Sequence, residues 1–234
     1  MLAFNYDLSM SIPFSQADDR DFPFEFERKF FVDEIPQDAL DHGSEQIIVQ
    51  AYVFAEAGYA IRVRITFRGV EIEFPKFDDR TDYVGSYERR VLAALMMHED
   101  IESHASATMG VKSPSINGER YELETEIALD VAVQILQHSA NLILKRRYSI
   151  WYGEDGWEFD LFAGQNQGLI VAECERLTPV VNLEIPQFCV TEVTGDPRFT
   201  NDSLSKEPWT QWDTIYRTEL AARGPYFLNF GSEK

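Results

Sequence analysis

Charged and apolar residues alternate along one segment after another of this chain, and that two-residue period limits what it can fold into. In a β-strand, residues i, i+2 and i+4 share a face. The run Phe24-Glu25-Phe26-Glu27-Arg28-Lys29-Phe30 therefore sets Glu25, Glu27 and Lys29 on one side and Phe24, Phe26 and Phe30 on the other. Arg62 and Arg64 alternate with Ile61, Val63 and Ile65, and Arg120, Glu122 and Glu124 alternate with Tyr121 and Leu123. Lys145 and Arg147 alternate with Leu144 and Tyr148, Arg146 being the exception. Glu158 and Asp160 alternate with Trp157, Phe159 and Leu161, and Glu173 and Glu175 alternate with Ala172 and Cys174. A single strand of this kind is an ordinary amphipathic strand with one solvated face. Here the pattern recurs, most strands carry nearly one sign, and the charged positions hold no Ser, Thr, Asn or Gln.

A closed antiparallel barrel with its apolar side packed outward against helices and its charged side turned inward uses such a pattern, because closure removes free edges and creates a polar lumen. The reading is α+β: a closed antiparallel β-barrel with helices packed on the outside. A lumen of buried charges is costly unless the charges pair or something ionic fills it. Clustered carboxylates supply hard oxygen ligands for Mg²⁺ or Mn²⁺, and paired Arg and Lys supply donors for phosphate oxygens. A metal-bound phosphate compound is the ligand that uses both sets.

Extended segments are predicted near 24–32, 46–55, 58–66, 107–113, 118–126, 142–152, 156–162, 168–177 and 187–193. Turns are predicted at Ala57-Gly58, Asn117-Gly118, Asp155-Gly156 and Gln167-Gly168. Helical spacing appears around Tyr87 to His98, around Ala128 to Ser139 with Val131, Ile135 and Leu136 on one stripe, and around Trp209 to Arg223. Residues 1–22 read as a loosely structured lead-in, and residues 67–106 as an excursion from the sheet within a single domain spanning 1–234. Cys174 and Cys189 are too few for a disulfide framework and read as buried free thiols. No secretory or membrane-spanning run is visible, which points to a cytoplasmic protein. A formal charge of −19 argues against general binding to nucleic acid or anionic membrane, whereas a small anion needs only a local basic cluster or a metal counterion.

The ordered motifs resemble the CYTH superfamily, the triphosphate tunnel metalloenzymes. Glu25-Phe26-Glu27-Arg28-Lys29 is similar to the family's ExExK signature. It is followed in the family's order by Arg62-Val63-Arg64, Lys112, Arg120-Tyr121-Glu122-Leu123-Glu124 and Lys145-Arg146-Arg147-Tyr148. Asp160-Leu161-Phe162, Ala172-Glu173-Cys174-Glu175, Glu192-Val193-Thr194 and Arg198-Phe199-Thr200-Asn201 complete the set, which runs from about 24 to about 206. Two departures stand out: the connection between Arg64 and Lys112 is long, and Gly110-Val111-Lys112-Ser113 replaces the usual Thr-Ile-Lys-Gly.

The resemblance implies that the barrel is a closed eight-stranded antiparallel β-barrel, a tunnel in which a triphosphate is hydrolysed with Mg²⁺ or Mn²⁺ as cofactor. Inorganic triphosphate is the first choice, with thiamine triphosphate hydrolysis or ATP cyclisation as alternatives within the family. A non-catalytic module for polyphosphate or a phosphorylated ligand is the alternative outside it. Lys29, Arg62, Arg64, Lys112, Arg120, Lys145 and Arg147 are implied as phosphate-binding. Glu25, Glu27, Glu122, Glu124, Asp160, Glu173 and Glu175 are implied as metal candidates, and Glu25, Glu27, Lys29 and Arg64 as the catalytic group. A homodimer interface is one use the excursion at 67–106 would allow. The chain has no GxxxxGK[ST] loop, no GxGxxG after a strand and no GxSxG elbow, and His98-Glu99 with His104 fails HExxH spacing. Trp209, Trp212 and Tyr216 read as packing residues rather than a ligand cage.

Overall fold

The computed structural model describes residues 24–83, 85–114, 119–176, 180 and 182–229, with the backbone alone at positions 24, 25, 119 and 120. Every predicted extended segment contains a strand: β1 (Phe24–Phe31), β2 (Ser44–Glu56), β3 (Tyr59–Arg68), β4 (Ala105–Lys112), β5 (Glu119–Glu126), β6 (Leu142–Tyr152), β7 (Asp155–Phe162), β8 (Ile170–Arg176) and β9 (Thr191–Glu192). They form one sheet in the order β5-β4-β3-β2-β6-β7-β8-β1-β9, and the strand pairs are antiparallel. β1 also pairs with β5, with Phe24 opposite Tyr121 and Phe26 opposite Glu119.

The last strand is the shortest. Only Thr191 and Glu192 join the ladder, opposite Phe31 and Phe30, because Pro186 opens a turn closed by the Cys189 N–H and the Phe188 ring turns into the core. The β2–β3 turn falls at Ala57-Gly58 as predicted, both residues taking positive φ (51° and 83°) as a two-residue hairpin requires. Gly153 and Glu154, not Asp155 and Gly156, make the β6–β7 turn, and β7 already begins at Asp155. The predicted turn at Asn117-Gly118 and the lead-in at 1–22 lie outside the described residues.

Six helices are described: α1 (Gln37–His42), α2 (Ser86–Leu95), α3 (Ile101–His104), α4 (Leu129–His138), α5 (Asn201–Lys206) and α6 (Asp213–Arg223). The short α1, α3 and α5 carry too few turns to leave a periodic pattern in sequence. In α4 the buried stripe is Ala132, Val133 and Leu136, while Val131 is exposed, so the expected stripe was rotated by about one residue.

Burial explains how both sheet faces are used. On one face, Ile47, Val49, Val63, Ile65 and Leu144 pack against α2 and α4, and Phe30, Trp157, Phe159 and Cys174 pack around Ala39 of α1 and the segment near Leu183. The opposite face carries the charges, yet it becomes apolar towards one end. There Phe31, Ile143, Phe162 and Val171, each two residues from a charged position, meet Phe199, Leu204, Trp209 and Tyr216. The C-terminal helices therefore cap the end of the charged face, whereas sequence alone placed all helices on the outside. Trp209 and Tyr216 are buried, and Trp212 stacks edge-on against Trp209 with centroids 4.7 Å apart.

Both cysteines are buried free thiols, and loss of solvent pushes Cys174 up to about 11 and Cys189 up to about 12. Neither should react with a thiol reagent in the native protein at pH 8, and both should react in urea. Stoichiometric labelling of the folded protein would contradict this placement. No helix among the described residues is long and apolar enough to cross a membrane.

Candidate functional site

Direct cross-strand neighbours share a face, so register alone assembles the charged site. Lys29 stands opposite Glu173 and Glu27 opposite Glu175. Arg64 faces Gln50, Arg62 faces Tyr52, Lys112 faces Glu122, and Arg147 faces Asp160. Apart from Gln50 and Asp160, these side chains surround a cavity of about 390 Å³, lined also by Glu124, Glu158 and the stretches Thr194 to Pro197 and Thr200 to Ser203. Of the predicted residues, Glu27, Lys29, Arg62, Arg64, Lys112, Glu122, Glu124, Arg147, Glu173 and Glu175 line it. The side chains of Glu25 and Arg120 lie outside the described residues, although their backbones pair with each other.

Lys145 and Asp160 do not line the cavity. They lie behind it, ion-paired and almost fully excluded from solvent. Burial, with Arg147 close by, pushes Lys145 down to about 8 despite that partner. Asp160 also accepts from Arg147 Nε and Nη2, both at 2.7 Å. Arg146, the exception to the alternation, points to the other face, where it pairs with Glu45 and sits over the Phe74 ring at 4.4 Å.

Most cations in the cavity are neutralised by neighbours. Lys29 Nζ pairs with Glu173 and lies 3.0 Å from Glu27. Arg62 pairs with Glu124 and lies 2.8 Å from Glu122, which also holds Lys112. Gly110 makes room for that cluster, since a Cβ there would meet Glu124 Cγ at 3.2 Å. Arg147 contacts Glu158, Asp160 and Glu173, and although burial opposes its charge, these carboxylates hold its pKa well above the ordinary value.

Arg64 differs. Among the described residues it forms no ion pair with a carboxylate; its Nε donates to Gln50 Oε1 at 3.3 Å, and Gln50 Nε2 donates in turn to the Tyr52 hydroxyl at 3.0 Å. Burial, then the like charges of Arg62 and Arg147, push Arg64 down to about 10. A desolvated guanidinium among other cations is poised for an anion. Gln50 was not singled out from sequence. Its signal was there, a lone polar residue inside the apolar run Ile47-Ile48-Val49-Gln50-Ala51 and fully buried.

Negative charge gathers around Glu175. Although Glu175 keeps solvent contact, loss of hydration and the nearby carboxylates of Glu158, Glu173 and Glu27 push it up to about 7. Glu158 was left out of the metal candidates, although it alternates with Asp160 on β7 and faces Glu173 across the ladder. Surplus carboxylate charge of this kind suits a hard divalent cation. Among the described residues no three acidic, histidine or cysteine side chains form a ready-made metal shell, and both Glu27 and Glu173 are turned towards Lys29.

The sheet and its cavity thus define a class of protein, one with a cavity of mixed charge on an antiparallel sheet. No protein-family model matches the chain. Over 101 residues it is 38% identical to a protein named inorganic triphosphatase from Acetivibrio thermocellus, a match covering 42% of this chain and 65% of that relative. The chain therefore spans a little under two thirds of the relative's length. The match bears out the CYTH resemblance drawn from the ordered motifs. Among solved structures, the inorganic triphosphatase NE1496 is 21% identical over 77% of this chain and 93% of its own, with a TM-score of 0.46. A structure described as a putative adenylyl cyclase from Hippeastrum with a dominant triphosphatase activity is 13% identical over 66% and 80%, with a TM-score of 0.36.

Proposed function

We propose that this chain hydrolyses a triphosphate, inorganic triphosphate first, to diphosphate and phosphate inside a closed eight-stranded tunnel, with Mg²⁺ or Mn²⁺ as cofactor. The observation that carries the reading is Arg64, a half-buried cation without a carboxylate partner among the described residues, set between Arg62 and Arg147 in the cavity wall. The relative named inorganic triphosphatase points the same way. The pairing of β1 with β5 supports closure, since it joins the two ends of an eight-strand run and leaves β9 as an addition on β1. In this reading the chain is one domain, with 67–106 an excursion from the tunnel.

The lining favours an inorganic substrate. Tyr52 is the sole aromatic among the described residues around the cavity, and it is mostly buried, with its hydroxyl engaged by Gln50. Among the described lining residues a nucleobase or thiazole would find no exposed ring to stack on. Lys29, Arg62, Arg64, Lys112 and Arg147 bind and orient the phosphate oxygens, and as charge spreads over them the guanidinium groups stabilise it without reorganising.

A divalent ion would be held by Glu27, Glu173 and Glu175, with Glu25 and Glu158 within the same acidic region, and when bound it supplies charge neutralisation and an activated water. Among the described lining residues eight carboxylates face five cations, so the residues alone would repel a polyanion. The substrate is then expected to bind with its metal.

A phosphate-release screen over inorganic triphosphate, thiamine triphosphate and ATP, each with Mg²⁺ and with Mn²⁺ and with a check for cyclic AMP, tests the reading. Glu27→Gln should abolish metal-dependent release while leaving the folded structure intact by circular dichroism. Full turnover by the folded variant would remove Glu27 from the metal set. Tight binding of triphosphate by the wild-type chain without phosphate release would favour the non-catalytic module instead.

A further inference from the structure

The excursion between β3 and β4 contains one buried charge that helix packing does not require. Glu88 lies on the buried face of α2 beside Val91 and Leu92 and is only 3% exposed. Its carboxylate fills the space above Gly164, where a Cβ would meet Glu88 Oε1 at 2.3 Å and where φ is +63°. Its Oε2 is buried with no hydrogen-bond partner among the described residues. Burial raises its pKa above the ordinary carboxylate value. A leucine would pack α2 at lower desolvation cost. What the carboxylate adds is a fixed position for the turn at Gly164–Asn166.

That turn in turn holds the end of the cavity. Asn166, also 3% exposed, donates through Nδ2 to the Leu204 carbonyl at 3.2 Å and accepts through Oδ1 from the Trp209 N–H at 2.8 Å. Thr210 Oγ1 donates to the Gln165 carbonyl at 2.8 Å. Leu204 belongs to α5, whose residues Asn201, Asp202 and Ser203 line the cavity.

We propose that Glu88 is a positioning residue through which the excursion braces the α5 wall of the cavity, by way of the Gly164–Asn166 turn. The effect on substrate rests on the triphosphate reading above, whereas the brace itself does not. The excursion then has a structural task in the site although none of its described residues between β3 and β4 lines the cavity.

The test compares Glu88→Ala with Glu88→Gln, which keeps the shape and an acceptor oxygen. Hydrogen exchange of the Trp209 amide, resolved by NMR, and the binding of inorganic triphosphate with Mg²⁺ are measured on the full chain. In Glu88→Ala the Trp209 amide should exchange at least about tenfold faster and the triphosphate Kd should rise about fivefold or more, while Glu88→Gln stays within about twofold of wild type on both counts. If Glu88→Ala does not fold, Glu88→Asp, which falls one methylene short of Gly164, is judged by the same two criteria. Lowered thermal stability with unchanged Trp209 exchange would overturn the proposal. If the wild-type chain fails to bind triphosphate, the functional reading fails, and the exchange data still decide the brace.

Discussion

Replacing Arg64 with methionine should leave the protein folded and at least as stable as wild type, while kcat/KM for triphosphate with Mg²⁺ falls by about 10²- to 10³-fold, the loss typical of removing one preorganised donor from a site where charge develops. Both halves follow from the same environment. Arg64 is desolvated, stands near Arg62 and Arg147, and has Gln50 rather than a carboxylate as its hydrogen-bond partner. In the ligand-free protein its charge is a cost, and a methionine of similar length removes that cost without opening a large void. With a triphosphate present the same charge gains a partner. The measurements are steady-state kinetics and a urea titration of the two proteins side by side. A variant that keeps wild-type kcat/KM would take Arg64 out of the site, and one that loses stability sharply would mean that Arg64 holds the fold rather than the ligand.

How much of this was legible beforehand depends on the length over which a pattern repeats. The period-2 alternation in Arg62-Val63-Arg64 or Glu173-Cys174-Glu175 states which residues share a face, and the register then sets Lys29 beside Glu173 as alternation requires. Alternation does not state depth along a strand. Lys145 and Arg147 look equivalent in sequence, yet Arg147 lines the cavity while Lys145 lies behind it against Asp160 and the Phe162 ring. Nor does alternation show where a charged face turns apolar. Phe31, Ile143 and Val171 continue the rows of Lys29, Lys145 and Glu173, and only the packing of Phe199, Trp209 and Tyr216 on them reveals that the C-terminal helices cap this end. Gln50 and Glu88 escaped for a related reason: each is a single polar residue in an apolar pattern, and its meaning comes from a neighbour fourteen and seventy-six residues away, Arg64 and Gly164.

Arg147→Met should have the opposite profile to Arg64→Met, destabilising the fold by about 3–5 kcal/mol at pH 7, the usual cost of removing one member of a buried ionic network. Arg147 draws together three neighbouring strands. It donates to Asp160 on β7 at 2.7 Å and to Glu173 on β8 at 3.1 Å, and it pairs with Glu158. Removing it leaves Asp160 and Glu173 buried with Lys145 and Lys29 as their remaining cations. Arg147→Lys should recover only part of the loss, because an ammonium cannot reproduce a fork reaching three carboxylates. The pH dependence has a definite sign. Burial alone would raise Glu173 and Asp160, but Lys29 and Arg147 for the first, and Arg147 and Lys145 for the second, hold both below the ordinary carboxylate value. Their contribution is therefore present above the unfolded carboxylate pKa of about 4 and is lost as pH falls through the depressed folded values. The gap in urea stability between wild type and Arg147→Met should be widest near pH 7 and should narrow in acid as the carboxylates protonate. A variant within about 0.5 kcal/mol of wild type at pH 7, or a gap that widens on acidification, would show that the network does not hold these strands together.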